Sequence, residues 1–147
     1  MPKLSTPFVG CDVFVTDDAD RVLLIRRFDN GLWALPGGCQ HLGETPAECA
    51  CRECNEETGM TVRLVRLLGV SSSARYEYVH YPWKDNEFTH LLFQAAIVAG
   101  QPRLSGETTE VAFFAQGMLA SLSDGHQPRL EYGFRVLADP TLPPFFE

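Results

Sequence analysis

A chain of 147 residues, 45% of them hydrophobic, has enough apolar side chain to close one ordinary domain, and no internal repeat or low-complexity run divides it. Its formal net charge of −7 leaves no basic stripe to grip the phosphates of a long nucleic acid, although a phosphorylated small molecule is admissible where a bound divalent cation inverts the local sign. The opening MPKLSTPFVG has neither the blocks of a signal peptide nor an apolar run able to cross a bilayer. Five cysteines, an odd number, make a poor disulfide framework, so a cytoplasmic chain with reduced thiols and no membrane partner is expected.

In chain order, FVGCDVFVTD (Phe8 to Asp17) and RVLLIRRF (Arg21 to Phe28) flank the turn residues DDAD and predict two strands joined as a hairpin. A helix starts at TPAE: Thr45 can cap the free N–H groups, Pro46 suits the first helical position, and Glu48 stands where a capping box needs it. Gly59 ends that helix, because glycine readily takes the left-handed conformation of a C-terminal cap. MTVRLVRLLGVSSS, YEYVHY and FTHLLFQAAIVAG predict further strands, the last nearly all apolar and therefore central. EVAFFA (Glu110 to Ala115) closes the set. A second helix is predicted within Pro128 to Asp139, with Leu130, Phe134 and Leu137 at helical spacing. The chain then runs out, from about residue 139 to 147, in a Pro-rich tail whose two phenylalanines can fold back onto the core or meet a second subunit. A homodimer is compatible with this composition.

On the first helix Glu53, Glu56 and Glu57 share one arc, being spaced i, i+3, i+4, while Ala47, Ala50, Cys51, Cys54 and Thr58 share another. Like charges on one arc cost a few tenths of a kcal/mol per pair when exposed, and more when sheltered. A cation relieves that repulsion, and oxygen-only ligands suit Mg2+ or Mn2+ better than zinc. A solvated acidic face paired with arginines is the plainer alternative for a run of glutamates. A thiolate zinc site would have to use Cys49, Cys51 and Cys54 with Cys39 and His41. Cys49 lies on the carboxylate side, away from Cys51 and Cys54, so the cysteines read as small buried hydrophobes.

The wider spacing decides between these readings. Gly38, five residues, Glu44, seven residues, Arg52-Glu53-Cys54, one residue, Glu56-Glu57, one residue, Gly59-Met60 resembles the Nudix box, G-x5-E-x7-R-E-U-x-E-E-x-G-U with U a bulky aliphatic. All seven fixed positions match, which chance would produce on the order of once in a million such chains. Cys54 and Met60 stand at the two U positions, both apolar enough to pack the same face. The lead-in LWALPGG also resembles the family, whereas His41 occupies a position that is acidic in many relatives.

The resemblance implies an α+β fold, a Nudix-type α/β/α sandwich with a central mixed β-sheet and the Nudix loop-helix, formed as a single domain over residues 1–147. It implies metal-dependent hydrolysis of a phosphoanhydride bond in a nucleoside diphosphate linked to another moiety, the substrate being a nucleotide, an ADP-ribose-like molecule or a dinucleoside polyphosphate. A non-catalytic nucleotide or ADP-ribose sensor is the alternative. Glu53 and Glu57 would be the primary metal ligands, Glu56 a ligand directly or through water, and the carbonyl of Gly37 a further one. The general base would be a glutamate of the helix or of a later loop, where Glu107 and Glu110 stand. Gly38, Glu44, Arg52 and Gly59 would hold the scaffold, Glu44 and Arg52 as a charge-assisted pair. Arg27, Tyr78 and Glu107 are the candidate substrate contacts, with Arg75 and Tyr76 on the same wall as Tyr78. No proline follows the box at the spacing of classical ADP-ribose pyrophosphatases, and Tyr78 roughly fits the spacing seen in dinucleoside polyphosphate hydrolases.

Overall fold

The first strand, β1 (Phe8–Val15), turns Cys11, Val13 and Val15 to one side and Phe14 to the other, and all four are buried. A strand apolar on both faces needs a covering layer on each. Helix α1 (Pro46–Thr58) covers the first through Cys49, Ala50 and Cys54, packed with Leu23, Val62 and Ala95. Helix α2 (His126–Ala138) covers the second through Leu130, Phe134 and Val136, packed with Leu24, Leu68 and Leu92. The result is the α/β/α sandwich that the sequence predicts. The structure, a computed structural model, describes residues 6–75, 86–119 and 121–147.

The remaining strands are β2 (Val22–Arg27), β3 (Trp33–Ala34), β4 (Gly37–Cys39), β5 (Met60–Ser72), β6 (Phe88–Gly100), β7 (Thr108–Phe114) and β8 (Phe145–Phe146). Five of them form a mixed sheet in the order β4-β1-β6-β5-β8, with β1–β6 and β5–β8 parallel. The apolar β6 sits at its centre, as expected. A second, antiparallel sheet has the order β3-β2-β7.

The expected hairpin of β1 and β2 does not form. Its turn exists, since the Asp17 N–H donates to the Arg21 carbonyl and one bridge links Thr16 to Val22, but the strands then part into different sheets. The reason is edge occupancy: β4 and β6 take both edges of β1, and β3 and β7 take both edges of β2. YEYVHY lies outside the described residues. Helix α2 begins at His126, two residues before the expected span, and Leu137 is only half-buried. Of the two tail phenylalanines, Phe145 in β8 rests on Gly69 and against the ring of Tyr132, while Phe146 points to solvent.

The predicted caps of α1 are present. Thr45 Oγ1 accepts from the Glu48 N–H at 3.2 Å, the Glu48 carboxylate accepts from the Thr45 N–H at 2.7 Å, and Gly59 adopts φ 77°. No helix among the described residues is long and apolar enough to cross a membrane.

Gly133 marks the closest approach of α2 to the sheet, for a Cβ there would lie 2.4 Å from the buried ring of Phe14. Gly133→Ala gains about 1 kcal/mol of helix propensity, but overpacking of a fixed ring costs about 1–3 kcal/mol. The expected outcome is a lower midpoint of urea unfolding with an unchanged m-value.

Candidate active site

Strand β4 lies against α1 because its first two residues lack side chains. A Cβ on Gly38 would stand 2.5 Å from the carboxyl carbon of Glu53, so only glycine lets the strand and the carboxylate meet. Next to it the Gly37 N–H donates to Glu57 Oε2 at 2.9 Å. Two carboxylates from one turn of α1 are thus gathered on one short stretch of backbone.

The helix departs from the expected membership of its core arc and its carboxylate arc. Glu53 and Glu57 are only 9% and 6% exposed, Ala47 is exposed, and Cys49 is fully buried with its thiol donating to the Gly38 carbonyl at 3.6 Å. Strand β4 covers the arc that helical spacing alone leaves open. Glu56 stands apart from the other two, on the exposed side.

Arg52 is the cation of this region. Its Nε and Nη2 donate to the two carboxylate oxygens of Glu44 at 2.6 and 3.0 Å, a bidentate pair of the kind that fixes geometry. Its Nη1 reaches Glu53 Oε1 at 2.8 Å and Glu56 Oε2 at 3.2 Å, and Nη2 also reaches the Cys39 carbonyl. Glu44 in turn accepts from the His41 N–H, so the pair ties α1 to the loop before it, as the resemblance implies. The guanidinium holds the Glu44 carboxyl down to about 2.

The two gathered carboxylates behave in the opposite way. Burial drives the Glu57 pKa well above the ordinary value, the Gly37 N–H opposes it, and the charge of Glu53 adds to the rise. Burial also raises Glu53, against its bond to Arg52. Among the described residues no three Asp, Glu, His or Cys side chains gather closely enough to enclose an ion. The donors on offer are two desolvated carboxylates beside backbone, in a chain whose nearby thiols are held protonated by burial.

Beside Glu57 lies an open cleft of about 310 Å³ with Arg27 and Asp29 on one wall and Glu107 on the other. Arg27 is not a free strand-end charge, since its Nε donates to Asp29 Oδ1 at 2.8 Å and its Nη2 pairs with the second oxygen. Glu110 does not line this cleft and instead pairs with Arg26 at 2.7 Å on the surface. Tyr76 and Tyr78 lie outside the described residues, and of Arg75 only the backbone is described, in a short 3-10 turn.

Four residues absent from the sequence reading sit on the other side of Gly37. A Cβ on Gly37 would collide with Asp12 Oδ1, and the buried Asp12 carboxylate pairs with the buried guanidinium of Arg129 from α2. His126 Nδ1 accepts from the Leu35 N–H at 3.1 Å. His90, on β6, is buried, and among the described residues neither ring nitrogen has a hydrogen-bond partner. The signal was available: Asp12 interrupts FVGCDVFV and His90 interrupts FTHLLF, each a lone polar residue in an apolar strand.

An α/β/α sandwich that gathers the glutamates of a capped helix on a glycine strand, beside an open cleft, defines a carboxylate site. Residues 6–133 match the NUDIX domain, and the chain belongs to that family. It is 32% identical over 126 residues to an ADP-ribose pyrophosphatase of Methanocaldococcus jannaschii, covering 82% of this chain and 69% of that protein. It is 39% identical over 101 residues to a MutT-like protein of Streptomyces ambofaciens, covering 69% and 58%. Among solved structures, a UDP-X diphosphatase superposes with a TM-score of 0.84 at 25% identity, over 99% of this chain and 69% of the other. The chain spans between 49% and 69% of the length of the first curated relatives it matches.

Burial, with Arg129 nearby, holds His126 well below the ordinary imidazole value of 6.5. The folded state therefore refuses a proton that the unfolded chain takes up below pH 6.5. The stability this contributes is fully present above pH 6.5 and is lost as pH falls, by up to about 1.4 kcal/mol per pH unit for one imidazole. His126→Asn keeps an acceptor for the Leu35 N–H and removes that proton. Between pH 6.5 and 4 its unfolding free energy is expected to fall less steeply than that of the wild type, as read from urea titrations at successive pH values.

Proposed function

We propose that this chain is a divalent-metal-dependent hydrolase that cleaves a phosphoanhydride bond in a nucleoside diphosphate linked to another moiety. The observation that carries this reading is the pair Glu53 and Glu57, desolvated together against the Gly37–Gly38 backbone with more negative charge than Arg52 alone offsets. Relatives named ADP-ribose pyrophosphatase and UDP-X diphosphatase support the same class of substrate, an ADP-ribose-like molecule or a dinucleoside polyphosphate falling within it.

The residues fit Mg2+ or Mn2+, since the donors are hard oxygens and Mg2+ is commonly held by one or two carboxylates with waters and substrate phosphates completing its shell. Glu53, Glu57 and the Gly37 carbonyl would hold the ion, and Glu56, being exposed, would act through water. Bound there, the ion supplies Lewis acidity and an acidified water. Arg52 keeps Glu53 and Glu56 in place while Glu44 keeps Arg52 in place. Arg27 can exchange its Asp29 partner for a substrate phosphate at the cleft wall. Glu107, exposed on the opposite wall, is suited to take up a proton as general base.

The test is a turnover panel with magnesium or manganese over ADP-ribose, dinucleoside polyphosphates, nucleotide sugars and nucleoside triphosphates. Metal-dependent release of phosphate products from one group is expected, and Glu53→Gln and Glu57→Gln are each expected to lower kcat by about a thousandfold or more with an unchanged far-UV spectrum. In the metal-free protein Glu57→Gln removes a desolvated charge and is expected to gain about 1 kcal/mol, or some 2–4 °C in Tm. Tight binding without turnover would assign the chain to the sensor class instead, and near wild-type activity in either variant would remove these glutamates from the chemistry.

A further inference from the structure

A small cavity of about 40 Å³ lies between β1, β4, β6 and α2, bordered by Asp12, Gly37, Phe88, His90 and Arg129. Arg27 borders both this cavity and the cleft beside Glu57, so the two spaces adjoin. The cavity's wall holds His90, 8% exposed and, among the described residues, without a hydrogen-bond partner on either nitrogen. A buried polar atom left unpaired is costly, and a folded chain does not carry one without a use or an occupant.

We propose that this cavity is a recognition subsite in which His90 accepts a hydrogen bond from an uncharged N–H group on the edge of the substrate's nucleobase. The inference rests on the nucleotide reading above and concerns the far end of that molecule. The charge balance points to a neutral group: Asp12 and Arg129 cancel as a buried pair, and Arg27 and Asp124, which also border the cavity, add one charge of each sign. The cavity's volume admits the edge of a planar ring and not the whole of it. His90 Nδ1 packs on Gly10, where a Cβ would lie 2.9 Å away, and faces Asp12 Oδ2 at 3.7 Å. That carboxylate favours the proton on Nδ1, which leaves the Nε2 lone pair as the acceptor. Burial holds the ring neutral, its pKa lowered to about 3, so the acceptor persists at every working pH. The ring of Phe88, inclined 14° to the imidazole at a centroid distance of 5.6 Å, keeps the imidazole plane fixed.

The experiment is calorimetric binding of AMP, GMP, UMP, CMP and ribose 5-phosphate in EDTA, to wild type, His90→Leu and His90→Gln, each checked for fold by circular dichroism. The wild type is expected to bind at least one of the nucleotides tighter than ribose 5-phosphate. His90→Leu is expected to lose that preference, about tenfold, as removal of one hydrogen bond predicts. His90→Gln, which retains an acceptor, is expected to keep most of it. An equal loss for ribose 5-phosphate, no change in His90→Leu, or equal or undetectable binding of all five probes to the wild type would overturn the proposal and leave the cavity to water alone. Metal-dependent turnover measured on the same preparations separates that outcome from failure of the hydrolase reading, because His90 touches none of the carboxylates assigned to the metal.

Discussion

Everything around the site depends on two consecutive residues without side chains. Gly37 and Gly38 allow β4 to be pressed from both sides at once, by Glu53 and Glu57 of α1 on one face and by Asp12 on the other. Any Cβ at either position would displace a carboxylate rather than a flexible chain end. The strand is therefore less a structural element than a spacer of backbone width, holding two buried acidic groups apart while leaving peptide groups for each to address. The right ends of both helices are brought to it: α1 by its own carboxylates, and α2 by the Arg129 that neutralises Asp12.

The charges on the two faces are handled differently, and the difference is informative. On the α2 face the acid is matched by one fully buried guanidinium, and the pair is electrically closed. On the α1 face Arg52 is divided among Glu44, Glu53 and Glu56; Glu57 accepts the Gly37 N–H and feels the charges of Glu53, Arg27 and Asp12. One buried acid is thus closed by an arginine, while among the described residues no arginine pairs directly with the other. Burial without an ion-pair partner is what raises the Glu57 pKa, and it sets this acid apart from the ion pairs around it.

Much of this was legible in the residues. Thr45, Pro46, Glu48 and Gly59 announced α1 with both of its caps, because capping is local chemistry and leaves a local signature. The strands β5, β6 and β7 were legible from apolar runs, and the glutamate spacing put Glu53 and Glu57 on one arc of α1. What was not legible is whatever depends on partners distant in sequence. The turn at DDAD was correctly placed, yet nothing in β1 or β2 tells which neighbour takes each strand edge, so the hairpin expectation failed. The three short strands β3, β4 and β8 carry too few residues for a period to show. Helical spacing could say that Glu53 and Glu57 share an arc but not that β4 would cover it. The same holds for His90 and Asp12, which stand 78 residues apart in the chain and become one feature only in the sheet, where β1 runs beside β6.

The parting of β1 from β2 has a mechanical meaning. The strands leave a single bridge at Thr16 and Val22 and diverge into two sheets, and Arg27 at the far end of β2 borders the space that opens between them. The sheets are in effect two jaws of one clamp, with the DDAD turn as its pivot. The space beside Arg27 lies where the two sheets have parted, so the turn bears on its shape without lining it.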